Sequence, residues 1–111
     1  MTGAVRQVAL QRCASCGAVQ YPPRASCVRC LSDRLAWDAA DHVAGALLAL
    51  TVLHHSNEPR FRLHLPLTVG LVQLDAGPVA VCFVVGAHVI GDRMTVRARL
   101  DEVGHPVLEA A

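Results

Sequence analysis

Four cysteines in the first third of the chain form two Cys-x-x-Cys pairs, Cys13/Cys16 and Cys27/Cys30, with ten residues between the pairs. A Cys-x-x-Cys pair on a tight turn directs both sulfurs to one side of the backbone. Two such turns, brought together by a hairpin, place four thiolates at the corners of a tetrahedron. Because protein fills all four positions, the spacing predicts one structural zinc ion per chain and no catalytic group around it.

Other cysteine chemistries fit this pattern less well. A disulfide framework leaves Cys82 over, because the chain has five cysteines, and the opening residues lack the unbroken apolar core of a secretory signal. A thioredoxin-like redox site needs one Cys-x-x-Cys pair at the start of a helix rather than two matched pairs. A rubredoxin-type iron site uses the same four ligands, so spacing alone leaves iron open beside zinc.

The composition predicts a protein that works against a partner. The chain has 111 residues, a net charge of +1 and 53% hydrophobic residues, with few aromatics. This balance offers no broad basic field for a polyanion, and the uncharged stretches at 43–53 and 76–91 are too short to span a membrane. We therefore expect a soluble cytoplasmic protein with more apolar surface than a solitary domain needs, of the kind that partners cover.

The residues around the cysteines predict a small three-stranded ribbon. Residues 7–12 alternate as a strand that leads into Cys13, residues 19–21 form a second short strand, and residues 35–37 form the third. Gly17 permits a positive φ at the turn beyond the first pair. So few residues cannot bury enough apolar area to fold alone, so metal binding should be coupled to folding here.

The rest of the chain predicts a barrel. Strand patterns cover residues 43–55, 63–75, 79–85, 94–100 and 107–108, and Met94, Val96, Ala98 and Leu100 share one face of the fourth. Five short strands without a convincing helix favour an OB-fold. The predicted fold is therefore all-β, with an N-terminal rubredoxin-like zinc ribbon over residues 1–38, a linker near residues 38–42, and a five-stranded OB-fold barrel over residues 39–111.

The order of these residues resembles a known family. The ribbon carries the specific segments Arg12-Cys13-Ala14-Ser15-Cys16-Gly17, Tyr21-Pro22-Pro23-Arg24, Cys27-Val28-Arg29-Cys30 and Leu35-Ala36-Trp37. The barrel adds Gly45 with Leu50-Thr51-Val52, then residues 66–75 and 90–96. Together, from about residue 12 to residue 103, they resemble the zinc-ribbon/OB-fold family of acyl-CoA-associated accessory proteins that partner thiolase-like enzymes.

The resemblance implies a non-catalytic accessory subunit. Such a subunit forms a hetero-oligomer with a thiolase, acyltransferase, hydroxymethylglutaryl-CoA synthase or retro-aldolase, stabilises the complex and helps to house the CoA ester. Arg24, Arg12 and Arg29 cluster near the ribbon and offer planar paired donors to CoA phosphates or to partner carboxylates. The alternative interpretation is that these three arginines are ordinary solvated surface residues without a binding role.

Other chemistry-bearing residues have structural interpretations. His54, His55 and His64 flank apolar strands without a nucleophile, a paired carboxylate or zinc-ligand spacing nearby, which favours structural or interface roles. Cys82 lies in an apolar strand, where a small buried thiol is the default. Trp37 and Tyr21 are expected to pack over the metal-binding turns or to anchor a partner.

A second functional class stays open, a single-stranded nucleic-acid-binding zinc-ribbon/OB protein. That function needs stacking aromatics along the barrel and a basic groove. The barrel half contains only Phe61 and Phe83, and the chain is almost neutral, which makes nucleic acid the less favoured partner. Nothing in the sequence resembles the acid/base pair of a stand-alone hydrolase or dehydratase.

Overall fold

The computed structural model describes residues 7–55, 66–100, 104 and 106–111. These residues form eight strands and no helix, and they divide into a three-stranded sheet and a closed barrel. The all-β prediction, with a four-cysteine ribbon before a five-stranded barrel, is confirmed. No helix among the described residues has the length and apolarity to cross a membrane.

The ribbon sheet consists of β1 (Val8–Cys13), β2 (Val19–Gln20) and β3 (Leu35–Ala40) in the order β2-β1-β3, all antiparallel. β1 is central, and it alternates Val8 and Leu10, which are buried, with residues on the opposite face. The predicted linker at residues 38–42 is wrong in part. β3 continues to Ala40, because the last residues of β3 pair with Val8, Ala9 and Leu10.

The barrel contains β4 (Val43–Leu53), β5 (Leu67–Leu74), β6 (Val79–Val84), β7 (Arg93–Leu100) and β8 (Pro106–Ala110). Its strand order is β4-β5-β6-β8-β7, and β7 pairs back with β4 to close it. β6 and β8 pair in parallel, whereas the other neighbours are antiparallel. A bulge between Leu47 and Ala49 interrupts the β4–β5 register, which bends the long β4 strand around the barrel.

Alternate residues of the barrel strands fill its interior. Those buried include Leu47, Val72, Leu74, Cys82, Met94 and Val96. Met94 and Val96 therefore point inward from the face that the sequence predicts them to share, whereas Leu100 at the end of that strand is exposed. Two glycines permit close approach: a Cβ at Gly45 would lie 2.5 Å from the carbonyl oxygen of Gln73, and a Cβ at Gly70 would lie 2.9 Å from Leu47 Cδ1.

The ribbon and the barrel share one hydrophobic core. Val8 and Leu10 of β1 belong to the same buried cluster as the barrel interior, and Val19 and Tyr21 pack against it. Tyr21 thus packs on the barrel core, where burial raises its pKa. The division at residues 38 and 39 stays a prediction, and the apolar packing continues across it.

Candidate metal centre and surrounding surfaces

The four predicted ligands lie together at one end of the ribbon. Their Sγ atoms all lie within 4.8 Å of one another, and the Cys13–Cys30 and Cys16–Cys27 Sγ separations are both 3.6 Å. Metal–sulfur bonds of about 2.3 Å, as in zinc tetrathiolate sites, separate sulfurs by about 3.8 Å in a regular tetrahedron. The donor set and its geometry therefore fit one tetrahedral metal ion.

The first pair of cysteines lies in a turn that we call the first knuckle (residues 13–18). The N–H of Gly17 donates to the carbonyl of Cys13 at 2.9 Å, and the N–H of Cys13 donates to the carbonyl of Ala18 at 2.9 Å. The N–H of Ser15 points at Cys13 Sγ, at 3.3 Å. Gly17 has a φ of 78°, the left-handed conformation predicted for it.

The second pair lies in the second knuckle (residues 27–32), which repeats these bonds. The N–H of Leu31 donates to the carbonyl of Cys27 at 2.9 Å, and the N–H of Cys27 donates to the carbonyl of Ser32 at 2.8 Å. The N–H of Arg29 points at Cys27 Sγ, at 3.4 Å. Leu31 occupies the place of Gly17 and also has a positive φ, 65°.

Two buried glutamines connect the knuckles to the sheet. Gln11 Oε1 accepts hydrogen bonds from Gln20 Nε2 and from the N–H of Arg24, both at 2.8 Å, and Gln11 Nε2 donates to the Arg24 carbonyl at 3.0 Å. Gln20 Oε1 accepts from the N–H of Val28 at 2.9 Å. The sequence interpretation missed both residues, which hold the Pro-Pro-Arg segment and the start of the second knuckle against β1.

The thiols of Cys13 and Cys30 differ in acidity. The backbone N–H of Cys16 contributes most to lowering the pKa of Cys13, to about 6. The N–H of Ser32 acts to lower the pKa of Cys30, but the thiol of Cys13, burial and the remaining thiols outweigh it and raise that pKa to about 12. A bound metal ion ends this competition, because a coordinated thiol is deprotonated.

The three predicted arginines occupy different settings. The guanidinium of Arg12 lies 3.4 Å from the carboxylate of Asp38, and both side chains are about half exposed. Arg24 is held by its backbone against Gln11, and its side chain is exposed. Arg29 is exposed on the second knuckle. Among the described residues, the guanidinium groups of Arg24 and Arg29 have no carboxylate partner, so both are available to an external anion.

The structure also places the other predicted residues. Trp37 is 64% exposed on β3, and Cys82 is buried in the barrel, where burial raises its pKa to about 11. His54 and His55 are exposed after β4. His64 and Phe61 lie outside the described residues. In the part of the barrel that the structure describes, Phe83 is the single aromatic residue and is half-buried.

A second surface lies on the outside of the barrel. On β4, β5 and β6 the register aligns Ala49 with Leu71 and Val81 in one row. On β5 and β6 these residues alternate with the buried interior residues, so their side chains point away from the barrel interior. Val81 is 63% exposed. We call six of the outward residues of these strands the apolar outer face, and Gln73 and Phe83 lie in the same rows as two of them: Ala49, Thr51, Val69, Leu71, Val79 and Val81. A hollow of about 240 Å³ lies where β4 and β5 meet, and no charged residue lines it.

Two family models match the chain in succession. Residues 3–36 match the model described as the ChsH2 rubredoxin-like zinc ribbon domain. Residues 37–99 match the model described as the ChsH2 C-terminal OB-fold domain. The order of the two models is the order of the sheet and the barrel described above.

Two similar proteins extend this comparison. A solved structure described as the Ltp2-ChsH2(DUF35) aldolase contains a chain with a TM-score of 0.75 and 26% identity, covering 94% of this chain and 83% of that one. A protein of Thermomonospora curvata named probable enoyl-CoA hydratase alpha subunit is 32% identical over 104 residues. The match covers 93% of this chain but only 28% of that relative.

Proposed function

Because this chain belongs to the ChsH2 family, we propose that it is a non-catalytic accessory subunit of a thiolase-type enzyme complex that acts on acyl-CoA thioesters. The family resemblance drawn from the sequence and the match to a chain of the Ltp2-ChsH2(DUF35) aldolase support a partner enzyme. The name of the Thermomonospora curvata relative points to CoA thioesters as the substrate class. In this proposal the partner supplies the nucleophile, the base and the oxyanion hole.

The observation that carries the proposal is the apolar outer face of the barrel. It presents exposed aliphatic residues on β5 and β6, with Leu71 and Val81 paired across these two strands, and it continues onto β4 through the half-buried Ala49. Contiguous apolar surface on a soluble protein marks a site that another molecule covers. The partner enzyme is that molecule, and β4 lies over the mouth of its active site.

The metal in this proposal is zinc, with a structural role. Zinc binds four thiolates in a closed site without redox chemistry. The two knuckles supply these four ligands and leave no coordination position open. The ion holds the knuckles at a fixed angle to β1, and so fixes the arginines beside them. Four reduced thiolates also fit a cytoplasmic location, which is part of the proposal.

The arginines of the ribbon are proposed to meet phosphates of CoA or carboxylates of the partner. Arg24 and Arg29 have exposed guanidinium groups without an acidic partner among the described residues, whereas Arg12 already faces Asp38 at 3.4 Å. Arg24 and Arg29 should therefore contribute more than Arg12. Titration calorimetry with CoA, on the chain alone and on the complex, separates these two uses.

Reconstitution tests the proposal. The tagged chain is purified from its native host, the co-eluting polypeptide is identified by mass spectrometry, and both proteins are then combined in purified form. We expect a thiolase-type partner, a stable complex by size exclusion with light scattering, and thioester turnover that the chain alone lacks. Turnover by the chain alone at the rate of the complex, or a hydratase as the partner, would contradict the proposal.

A pair of variants tests the docking surface. Val81→Glu places a charge on the apolar outer face at an exposed strand position, so the barrel should keep its stability while complex formation is lost. Ala76→Glu introduces the same charge in the exposed turn between β5 and β6 and should leave the complex intact. Equal affinity of both variants for the partner would remove the apolar outer face from the interface.

A further inference from the structure

The second knuckle carries a leucine where its own geometry favours glycine. Leu31 has a φ of 65°, and the residue at the same place in the first knuckle is Gly17, with a φ of 78°. In the left-handed region the Cβ of an L-residue crowds the carbonyl oxygen that follows, which glycine avoids. The backbone therefore supplies no reason for a leucine at this position.

Burial supplies no reason either. Leu31 is 78% exposed, and Val28 in the same knuckle is 61% exposed. A leucine side chain with most of its surface in water contributes little to the folded state of its own chain. A residue that is unfavourable for its backbone and unburied within its chain is a candidate for a contact outside the chain.

The charges around Leu31 identify the kind of surface it meets. Arg29 and Arg34 lie on either side of it in the sequence, and both are exposed. Among the described residues, neither guanidinium pairs with a carboxylate, and Asp33 is the one acidic residue within the segment 27–34. Leu31 and Val28 thus form an apolar tip on the second knuckle, and Arg29 in the knuckle and Arg34 two residues beyond it form a cationic rim. This combination is complementary to an apolar hollow bordered by carboxylates.

We propose that Leu31 anchors the second knuckle in such a hollow on the thiolase-type partner, with Val28 beside it and Arg29 and Arg34 facing acidic residues at the rim. This inference rests on the proposed function. It adds a second contact, distinct from the apolar outer face of the barrel. The two contacts together fix the orientation of the ribbon on the partner. A single flat contact would leave the ribbon free to rotate.

Leu31→Gly separates binding from folding, because glycine suits the left-handed backbone. In the full-length protein we expect this variant to keep one metal ion per chain and a melting temperature no lower than that of the wild type. Its affinity for the purified partner from the reconstitution above should fall at least tenfold. Leu31→Met keeps an apolar side chain and should retain most of the affinity.

The cationic rim has its own readout. Arg29→Glu should weaken the complex, and the remaining affinity should depend less steeply on salt than that of the wild type. Arg97→Glu, at an exposed position on β7, is the control for an equal change of charge and should leave the affinity unchanged.

The outcomes distinguish the inference from the proposed function. If the wild-type chain binds the partner and Leu31→Gly binds equally well, the inference is overturned and the proposed function stands. If Leu31→Gly loses its metal or melts at a lower temperature, leucine serves the fold and the inference is also overturned. If the wild-type chain binds no thiolase-type protein, the proposed function fails, and the inference fails with it.

Discussion

Replacing Gln11 with leucine should weaken metal binding, although Gln11 is not a ligand. The buried Gln11 amide accepts hydrogen bonds from Gln20 Nε2 and the Arg24 N–H, both at 2.8 Å, and donates to the Arg24 carbonyl at 3.0 Å. Leucine has a similar size but no polar atoms. The variant therefore removes the acceptor shared by the Arg24 N–H and Gln20 Nε2, and it removes the donor to the Arg24 carbonyl. Gln20 Nε2 keeps its second hydrogen bond, to the Ser26 carbonyl at 3.3 Å.

The size of the effect follows from these two donors. Leaving a buried donor unpaired costs about 1–3 kcal/mol. Because the Arg24 backbone is only partly buried, water recovers part of its loss, and we expect about 2–3 kcal/mol in total. With folding of the ribbon coupled to metal binding, as the sequence predicts, the apparent dissociation constant of the metal should rise about 30- to 150-fold.

Competition with a chromophoric chelator measures this change. Gln7→Leu is the matched control, because the Gln7 amide donates to Asp41 Oδ1 at an exposed site and its loss should change metal affinity little. The double variant Gln11→Leu/Gln20→Leu should cost less than the sum of the single variants, because they share one hydrogen bond. Wild-type metal affinity in Gln11→Leu would refute the coupling between the glutamines and the metal centre.

Three further predictions test the metal centre and the barrel core. Cys27→Ser should abolish metal binding and capture of the partner, because one ligand of the closed set is lost; one metal ion per chain in this variant would contradict the four-ligand proposal. Gly45→Ala should cost roughly 3 kcal/mol or more in urea unfolding and Gly70→Ala roughly 1–2 kcal/mol, since the Cβ would lie 2.5 Å from a backbone oxygen at the first, whereas at the second the nearest atoms are side-chain methyl groups at 2.9 Å and the nearest backbone oxygen lies at 3.1 Å. The reverse order would refute this account of packing. Cys82 should resist iodoacetamide at pH 8 in the native protein, because burial raises its pKa to about 11 and blocks access; rapid labelling before unfolding would show that the site is open.

The strands were predictable because their apolar residues alternate. β7 shows this well: Met94 and Val96 are buried, and Arg93 and Arg97 are exposed. The metal cluster was predictable because Cys-x-x-Cys spacing restricts the turn itself. The parallel pairing of β6 with β8 has no signal in the local sequence. The last strand is placed in the barrel only because an OB-fold is expected.

The residues that the sequence did not reveal share a physical reason. Gln11 and Gln20 are buried because they satisfy backbone groups of a distant loop, and local periodicity does not report such bonds. Leu31 has a left-handed φ because the second knuckle repeats the backbone hydrogen bonds of the first. Residue propensities predict that conformation for glycine and not for leucine. β3 extends to Ala40 because β1 provides partners for it, although aspartate and alanine are weak strand formers.

The shared core joins the metal centre to the apolar outer face. Cys13 ends the strand that contributes Val8 and Leu10 to the buried cluster of the barrel. Loss of the metal releases the end of that strand, and withdrawal of Val8 and Leu10 would expose the neighbouring interior side chains of β7 to water, because β1 and β7 are in contact. The ion therefore supports the docking surface of the proposed complex, although it contributes no atom to it. In the proposed complex, the zinc ribbon serves both as an attachment point and as part of the packing that keeps the barrel strands in register for the partner.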